Sequence, residues 1–307
     1  MDMAELGQIE TSRLRGEVKR DEPMRKYVSW RAGGVAGLAY TPADLDDLGL
    51  FLSRLPKSEP LLFVGLGSNL LVRDGGFRGS VVFTHRVLAR FILEENAGHA
   101  EIYAEAGVAS PKVARFAAVH NFEGAEFLAG IPGTVGGALA MNAGCYGSET
   151  WDVVARVRTM NRSGHLQIRE PNEYAIGYRS VFPVQARDEF FVAAWFRFVR
   201  GNGEKARQKI RELLSKRVAS QPLGEPNAGS VFRNPPGDHA ARLIQASGLK
   251  GRRIGGAEVS TLHANFIVNK GGATARDIED LITLVQETVK REANVELERE
   301  VRIVGEA

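Results

Sequence analysis

The sequence predicts an α+β protein, and the order of its segments is the main reason. Apolar runs with strand character alternate with helical patterns in the first 120 residues. A strand-rich block follows, and a helix-rich block occupies roughly residues 204–292. There is no repeat of fixed length and no regular βαβ succession. The 307 residues exceed what one small core needs, so we expect several domains.

Three helices are predicted from their start signals and from apolar residues at helical spacing. Thr41-Pro42 followed by Asp44 is typical of a capped start with a proline and an acidic first turn. Ser110-Pro111 repeats this pattern. Thr274 with Asp277 three residues later predicts the cap of a long third helix. We expect all three helices to form core.

Strand-like runs lie between the helices. Residues 1–26 are polar and basic, and we expect a loosely held segment there. The runs with strand character are Leu61–Val64, Ser80–Thr84, Glu101–Ala106, Val153–Met160, Phe190–Val199, Asn265–Asn269 and Leu297–Val304.

Two shifts in composition predict the domain boundaries. Gly201-Asn-Gly203 precedes a strongly charged helical pattern, and Ala293-Asn294 ends the last helical pattern before a final strand. We expect that strand to rejoin the first domain. The predicted domains are residues 1–85 with 295–307, residues 86–200 and residues 201–294.

Composition excludes several classes of protein. The net charge is +3, but Lys and Arg are spread along the chain without a basic tail, so we expect no nucleic-acid partner. The single cysteine, Cys145, allows no intramolecular disulfide and favours a cytoplasmic location. No apolar run approaches the roughly 20 residues that span a bilayer, and no residue spacing suggests a zinc site.

The first glycine loop is Gly65–Asn69 (GLGSN), directly after an apolar strand. It lacks the third glycine of a Rossmann fingerprint, and no clear helix follows it. Its backbone amides, with Ser68 and Asn69, could still hold a pyrophosphate. A tight turn without a ligand remains the alternative. The candidate cofactor-binding residues here are Gly65, Gly67, Ser68 and Asn69.

The second glycine loop, Gly130–Gly137 (GIPGTVGG), is the stronger signal. It lacks the ending of a Walker A loop, which argues against ATP hydrolysis. Thr134 can cap a short helix through Met141, and we expect an anion site at the helix start. Two such loops would suit the two ends of one dinucleotide. The candidate cofactor-binding residues here are Gly130, Ile131, Pro132, Gly133, Thr134, Gly136, Gly137, Asn142 and Gly144.

These segments, taken together and in order, resemble one known family. The motifs are Trp30–Gly34, Gly65–Leu70, Gly130–Gly137 with Asn142–Gly144, Tyr178–Ser180, Asn227–Pro235 and Leu297–Gly305. This set resembles the UDP-N-acetylenolpyruvoylglucosamine reductase (MurB) family, in its shorter subtype, over roughly residues 25–305. Six motifs in order are jointly specific, although each alone is only moderately so.

The resemblance implies an FAD-binding fold of the vanillyl-alcohol-oxidase (PCMH) type, with two flavin-binding subdomains and a C-terminal α+β substrate domain. It implies FAD as cofactor and NADPH as reductant. The substrate would be UDP-N-acetylenolpyruvoylglucosamine and the product UDP-N-acetylmuramate, in peptidoglycan synthesis. We expect no membrane insertion and a monomer or weak oligomer.

The resemblance also implies roles for single residues. Ser230 would donate a proton, Arg179 would hold the developing carboxylate, and Glu300 would polarise the intermediate. Tyr178 and Asn234 would contact the substrate. The alternatives are a turn serine, a surface arginine and an exposed strand carboxylate. Glu298 lies two residues from Glu300 and is expected on the same face.

Two other functions stay open from the sequence alone. One is a different FAD oxidoreductase of the same fold, such as an oxidase of a small alcohol, which would not need a carbon-protonating Ser230. The other is a nucleotide- or nucleic-acid-binding module without catalysis, suggested only by the basic pI and the glycine loops.

Overall fold

The structure is a computed structural model, and it describes residues 13–96 and 99–307. Helices and strands are both abundant, as the α+β prediction requires. The helices are α1 Leu45–Arg54, α2 Ser110–Val119, α3 Val135–Met141, α4 Gly203–Ser220, α5 Ala240–Ala246 and α6 Ala275–Ala293. The strands up to residue 123 are β1 Glu17–Pro23, β2 Val35–Thr41, β3 Leu61–Val64, β4 Leu70–Val72, β5 Phe77–Phe83, β6 Phe91–Asn96, β7 His99–Glu105 and β8 Phe122–Glu123. The later strands are β9 Gly144–Cys145, β10 Ser148–Glu149, β11 Val154–Asn161, β12 Leu166–Arg169, β13 Tyr174–Gly177, β14 Ser180–Pro183, β15 Glu189–Arg197, β16 Val199–Arg200, β17 Arg253–Ile254, β18 Ala257–Val259, β19 Ile267–Asn269 and β20 Arg302–Val304.

The chain divides into two compact units. Among the described residues, the first unit contains 13–20, Leu38–Gly65 and Gly79–Ser215. The second contains Asp21–Gly37, Leu66–Arg78 and Lys216–Ala307. The three-domain division expected from the sequence stays a prediction.

The core of the first unit lies against an antiparallel sheet of five strands in the order β12-β11-β15-β7-β6. Alternate residues point to opposite faces, as the strand repeat of two requires. Ile102 and Ala104 join the buried cluster that contains the apolar sides of α2 and α3. Tyr103 and Trp195 lie in a separate buried cluster. The Arg156 guanidinium covers the Trp195 ring at 4.4 Å, a cation–π contact.

A four-stranded sheet has the order β1-β2-β5-β3, with β3 and β5 parallel. Its strand β1 corrects the expectation of a loosely held segment over residues 1–26. The strand was missed because it lies at the sheet edge and its sequence is mostly charged, so no alternation of apolar residues shows it. The part of that expectation before residue 13 falls outside the described residues.

The core of the second unit is built on α6 and the three-stranded sheet β17-β18-β19. Trp30 is fully buried there, and its indole Nε1 donates to the Ile267 carbonyl over 2.8 Å. Asn269 Nδ2 donates to the Trp30 carbonyl over 2.9 Å. Burying an indole without a partner for its N–H would be costly, so these bonds fix the place of the tryptophan. The α6 residues that face this core are Ile278, Leu281, Ile282, Val285 and Val289.

Two of the predicted helix caps are wrong by a few residues. The cap of α1 is Asp44, whose carboxylate accepts from the Asp47 amide over 2.9 Å, and not Thr41. Ser110 is the first residue of α2 and follows its N-cap, Ala109. An aspartate placed just before the helix satisfies the free amides directly, which explains why the chain extends past Pro42 before it turns.

The Thr274 cap is confirmed. Thr274 Oγ1 accepts from the Asp277 amide over 3.0 Å, and Asp277 Oδ2 accepts from the Thr274 amide over 3.0 Å. This reciprocal pair satisfies two amides at the start of α6.

We expect Thr274→Ala to lower the free energy of unfolding by about 1 kcal/mol, because the Asp277 amide then loses the hydroxyl that accepts its hydrogen bond. Urea denaturation followed by far-UV circular dichroism measures the change. Thr283→Ala is the matched control: its hydroxyl bonds only to the Glu279 carbonyl on an exposed face of α6. Equal losses in the two variants would contradict the capping role.

Candidate active site

A turn at Gly229 precedes Ser230. Gly229 has φ +74°, a backbone conformation that residues with a side chain rarely adopt, and its amide donates to Asn227 Oδ1 over 2.9 Å. Asn227 Nδ2 in turn donates to the Pro222 and Glu225 carbonyls. Ser230 therefore follows a fixed turn and precedes the buried Val231. Ser230 itself is half-buried.

The Glu300 segment is hydrogen-bonded to the Ser230 segment. The Val231 carbonyl accepts from the Glu300 amide over 2.8 Å and from the Val301 amide over 3.3 Å. The neighbouring Phe232 and Arg299 form an isolated β-bridge. Ser230 and Glu300, which are 70 positions apart in sequence, thus belong to one local structure within the second unit.

Glu298 and Glu300 flank Arg299, which forms the bridge with Phe232, and their expected place on one face stays a prediction. Strand β20 begins only at Arg302, so most of the predicted run Leu297–Val304 is irregular. The Glu300 and Val301 amides share the Val231 carbonyl, so a bulge breaks the alternation of sides beyond Glu300. Glu298 is 76% exposed and lies 3.6 Å from Arg233, whereas Glu300 is half-buried.

The first glycine loop reaches the Glu300 segment through Asn69. Asn69 Nδ2 donates to the Glu300 carbonyl over 3.1 Å, and the Arg302 amide donates to the Asn69 carbonyl over 3.1 Å. The side chain expected to hold a pyrophosphate is therefore bonded to the backbone of a candidate catalytic residue. Asn69 consequently fixes the place where the Glu300 peptide lies.

Gly67 has a conformation that only glycine tolerates at this place. Its φ is +58°, and a β-carbon there would lie 2.1 Å from the Tyr27 carbonyl oxygen. The Gly67 carbonyl accepts from the Ser29 amide over 3.1 Å and from the Ser29 hydroxyl over 3.3 Å. These contacts hold the turn that carries Ser68.

The second glycine loop leads into α3, whose N-cap is Thr134. The predicted cap position is right, but the hydroxyl makes no capping bond. The Val135 amide donates to the Val108 carbonyl over 2.8 Å, and the Gly136 amide donates to the Ala106 carbonyl over 2.9 Å. Both amides are therefore already used by the protein and cannot serve the anion site expected at this helix start.

What the loop does offer is a buried hydroxyl without a hydrogen-bond partner among the described residues. Thr134 is 1% exposed, and its Oγ1 has no hydrogen-bond partner among the described residues. A β-carbon on Gly65 would lie 2.2 Å from that oxygen, and one on Gly137 would lie 3.9 Å from it. The two glycine loops therefore meet within the first unit. A buried unpaired hydroxyl bordered by glycines fits a ligand such as FAD that brings its own hydrogen-bonding atoms.

Asn142 organises the segment after α3. It ends the helix in the left-handed conformation, with φ +41°. Its Nδ2 donates to Glu149 Oε2 over 2.7 Å and to the Gly177 carbonyl over 3.0 Å, and its Oδ1 accepts from the Trp151 amide over 3.2 Å. The Asn142 side chain, expected to bind the cofactor, is thus fully engaged with the protein and joins three of its segments.

Arg179 lies at the tip of the two-residue turn between β13 and β14. Its φ is +54°, which costs a residue with a side chain about 1 kcal/mol or more. Nη2 donates to the Gly144 carbonyl over 2.8 Å, and Nη1 donates to the Asn142 carbonyl over 3.2 Å and lies 3.5 Å from Glu149. These contacts fix the guanidinium and offset the strain of the backbone.

The two residues expected to contact the substrate lie in different units. Tyr178 precedes Arg179 and is 46% exposed, and the guanidinium lies 5.0 Å from its ring centroid. Asn234 is exposed, and its Oδ1 accepts from the Ala240 amide over 3.1 Å at the start of α5. The structure does not test either role.

Sequence reasoning missed a groove in the second unit. It has a volume of about 470 Å³ and is lined by Ala241, Arg242, Gln245, Ala246, Leu262, His263 and Ala264. His263 stacks edge-on with Phe266, and burial lowers the pKa of its imidazole. No sequence pattern indicates this groove, because it joins one side of a short helix to a loop about 20 residues later.

Residues 13–96 and 99–307 contain neither a metal site nor a membrane-spanning helix. No group of His, Cys, Asp or Glu side chains in that part of the chain could hold a metal ion. No helix described there is long and apolar enough to cross a bilayer.

Comparison with known proteins decides the family. The C-terminal domain of UDP-N-acetylenolpyruvoylglucosamine reductase matches residues 221–304, and an FAD binding domain matches residues 38–168. The chain is 57% identical over 303 residues to the UDP-N-acetylenolpyruvoylglucosamine reductase of Thiobacillus denitrificans, covering 95% of this chain and 94% of that protein. The chain belongs to the UDP-N-acetylenolpyruvoylglucosamine reductase family.

Other relatives agree with this assignment. The reductase of Legionella pneumophila strain Corby is 52% identical over 294 residues, with 95% of this chain and 94% of that protein covered. The crystal structure of the reductase from Thermus caldophilus has a TM-score of 0.77 at 30% identity, with 94% and 98% covered. The predicted family, the flavin-binding α+β fold and the class of flavin-dependent oxidoreductase are confirmed.

We expect Gly67→Ala to weaken FAD binding at least about tenfold, because a methyl group must displace the Tyr27 carbonyl and the turn with it. Titration of apoprotein with FAD, followed by flavin fluorescence, measures the affinity. Gly224→Ala is the matched control, since a β-carbon there meets nothing within 4 Å and the residue lies outside both glycine loops. Unchanged affinity in Gly67→Ala would contradict the role of this turn.

Proposed function

We propose that this chain reduces UDP-N-acetylenolpyruvoylglucosamine to UDP-N-acetylmuramate with electrons from NADPH, and that Ser230, Glu300 and Arg179 are its catalytic residues. The activity and both cofactors follow from membership of a reductase family that covers 95% of the chain. The observation that supports the catalytic roles is the bond between the Val231 carbonyl and the Glu300 amide.

The reaction sets the demands on the protein. An enol ether that carries a carboxylate accepts a hydride at its β-carbon, and negative charge then builds on the carboxylate. Fixed hydrogen-bond donors and positive charge must stabilise that charge. A proton must then reach the α-carbon from one side only.

Ser230 supplies this proton. A serine hydroxyl is a weak acid, so it can act only toward a strongly basic carbon held at hydrogen-bond distance. The fixed turn at Gly229 and the buried Val231 on its other side restrict where the hydroxyl can lie. A freely rotating surface loop could not provide that restriction.

Glu300 acts on the intermediate from the segment paired with Ser230. Its backbone is bonded on both sides, by its amide to Val231 and by its carbonyl to Asn69. The two groups are therefore positioned relative to one another by the backbone of a single unit. The exposed Glu298, paired with Arg233, is not suited to this role.

Arg179 binds the substrate carboxylate. A guanidinium presents parallel N–H groups that match two carboxylate oxygens, and its charge does not depend on pH in the physiological range. Its contacts with the Asn142 and Gly144 carbonyls orient the fork before the substrate arrives. Such preorganisation is what electrostatic stabilisation of a transition state requires.

A bound FAD would supply the hydride chemistry that links NADPH to the β-carbon of the enol ether. In the first unit, the buried Thr134 hydroxyl beside Gly65 and Gly137 would hold it. The Gly67 turn of the second unit is proposed separately as a cofactor-binding segment. These residues would bind and orient the group. They supply no proton to the substrate.

The groove lined by α5 and the Leu262–Ala264 loop is proposed to take part of the UDP moiety. It lies within the part of the chain that matches the C-terminal domain of the family. Its lining combines small apolar side chains with Arg242 and Gln245, a composition typical of sites for small molecules. Arg242 also pairs with Asp238 and holds the pKa of that carboxyl at about 2.

The cellular setting is also proposed here. The family acts in peptidoglycan synthesis, which places the chain in cell-wall biogenesis. We propose roles in cell shape and division, a cytoplasmic location supported by the single Cys145, and a monomer or weak oligomer.

We expect Ser230→Ala to leave flavin bleaching by NADPH unchanged and to slow flavin reoxidation by the sugar nucleotide about a hundredfold or more, since only the second step needs the proton. Anaerobic stopped-flow absorbance separates the two half-reactions. Ser53→Ala, on an exposed face of α1, is the control and should change neither. Equal damage to both steps would show that Ser230 is only structural.

We expect Arg179→Lys to raise the KM for the sugar nucleotide and to lower kcat about tenfold or more, because an ammonium group cannot reproduce two parallel bonds. Steady-state kinetics measure both. Arg187→Lys is the control: its side chain is 14% exposed, close to the 15% of Arg179, and it pairs with Glu173. If both variants lose activity equally, burial of an arginine in this unit explains the effect and not carboxylate binding.

A further inference from the structure

Asn265 makes three hydrogen bonds to the residues that directly follow Ser230. The Val231 amide donates to the Asn265 carbonyl over 2.9 Å. The Phe232 amide donates to Asn265 Oδ1 over 3.0 Å, and Asn265 Nδ2 donates to the Phe232 carbonyl over 2.8 Å. Asn265 is 4% exposed, so these bonds form away from water.

The Asn265 carboxamide pairs with the Phe232 backbone as a peptide of a neighbouring β-strand would. A carboxamide offers one donor and one acceptor side by side, and the backbone of Phe232 presents the complementary pair. Two parallel bonds fix the rotation of a peptide as well as its position. The third bond, at Val231, extends this restraint to the residue next to Ser230.

The same restraint reaches Glu300. The Val231 carbonyl is the acceptor for the Glu300 amide, so whatever fixes Val231 also fixes the distance between the Ser230 and Glu300 segments. Asn265 lies before β19 and is buried beside the core of the second unit. Asn265 thus connects the Ser230 and Glu300 segments to the buried core next to β19.

We propose that Asn265 is a positioning residue for proton transfer, because its carboxamide fixes the backbone that carries the Ser230 hydroxyl. This inference depends on the function proposed above for Ser230. It assigns to Asn265 no contact with the substrate. The proposal implies that replacing the Asn265 carboxamide affects protonation of the substrate and leaves reduction of the flavin intact.

The sharpest test replaces the carboxamide by a carboxyl of nearly identical shape. In Asn265→Asp, the protonated acid can donate its O–H to the Phe232 carbonyl and accept from the Phe232 amide, which restores both bonds. The ionised form has only acceptors and repels the Phe232 carbonyl. Burial raises the pKa of such a carboxyl, so its protonated form is regained as the pH falls.

We expect reoxidation of the reduced flavin by the sugar nucleotide to be about tenfold to a hundredfold slower in Asn265→Asp than in the wild type at about pH 8. The deficit should shrink as the pH is lowered to about 5.5. Bleaching by NADPH should match the wild type at every pH. Asn265→Ser, which retains the backbone bond but cannot form the pair, should be slow at both pH values.

Asn269→Asp is the matched control. Asn269 is also a buried asparagine of the second unit, but it holds Trp30 and the amides of Gly271 and Ala273. The Asn269→Asp variant should be less stable, but it should not slow flavin reoxidation selectively over flavin reduction. If Asn265→Asp slows both half-reactions alike, or shows no recovery at low pH relative to Asn265→Ser, the proposal is wrong.

A second readout does not need the catalytic cycle. Hydrogen exchange of the Val231 and Phe232 amides, corrected for the intrinsic pH dependence, should be faster in Asn265→Asp at high pH and should approach the wild type at low pH. If wild-type flavin is bleached but never reoxidised by the sugar nucleotide, the proposed function is wrong and the role in protonation with it. Exchange at these amides identical to the wild type, with reoxidation intact, would overturn the positioning role alone.

Discussion

The hydrogen bond between the Val231 carbonyl and the Glu300 amide is the constraint on which the proposed chemistry depends. It joins two segments that are irregular and that neither a helix nor a long strand would hold in place. Buried amide groups must be paired, so Asn265 on one side and Asn69 on the other complete the bonding of this pair of segments. In this unit, asparagine side chains bonded to backbone groups thus position the Ser230 and Glu300 segments.

The first unit uses a similar device for Arg179. Asn142 and Glu149 join the end of α3 to the β13–β14 turn, and the guanidinium is oriented by carbonyls of the same segment. Arg179 and Asn142 both adopt positive φ, which the surrounding bonds offset. Strain at a residue that must hold a charge in one direction is consistent with a preorganised site.

The sequence predicted the class and the main helices because these depend on local signals. Apolar spacing and a complete capping box determine α6, and the apolar runs determine β3 and the centre of β15. Strand β1 escaped prediction because an edge strand needs no apolar alternation. The exact cap of α1 escaped it because Thr41-Pro42 also has the sequence pattern of a helix start, whereas Asp44 makes the capping bond. The family resemblance, confirmed by the comparisons, rested on six motifs whose order no local rule explains.

The sequence by itself determined which residue types are present at the candidate site: Ser230, Glu300, Arg179 and the glycines. Only the tertiary structure decided that Glu298 and Glu300 have different environments, and that the side chains of Asn69 and Asn142 are bonded to protein atoms. It also revealed Asn265. The physical reason is that a hydrogen-bond partner is chosen by proximity in space, and residues 33 to 231 positions apart in the chain leave no local pattern that predicts their pairing.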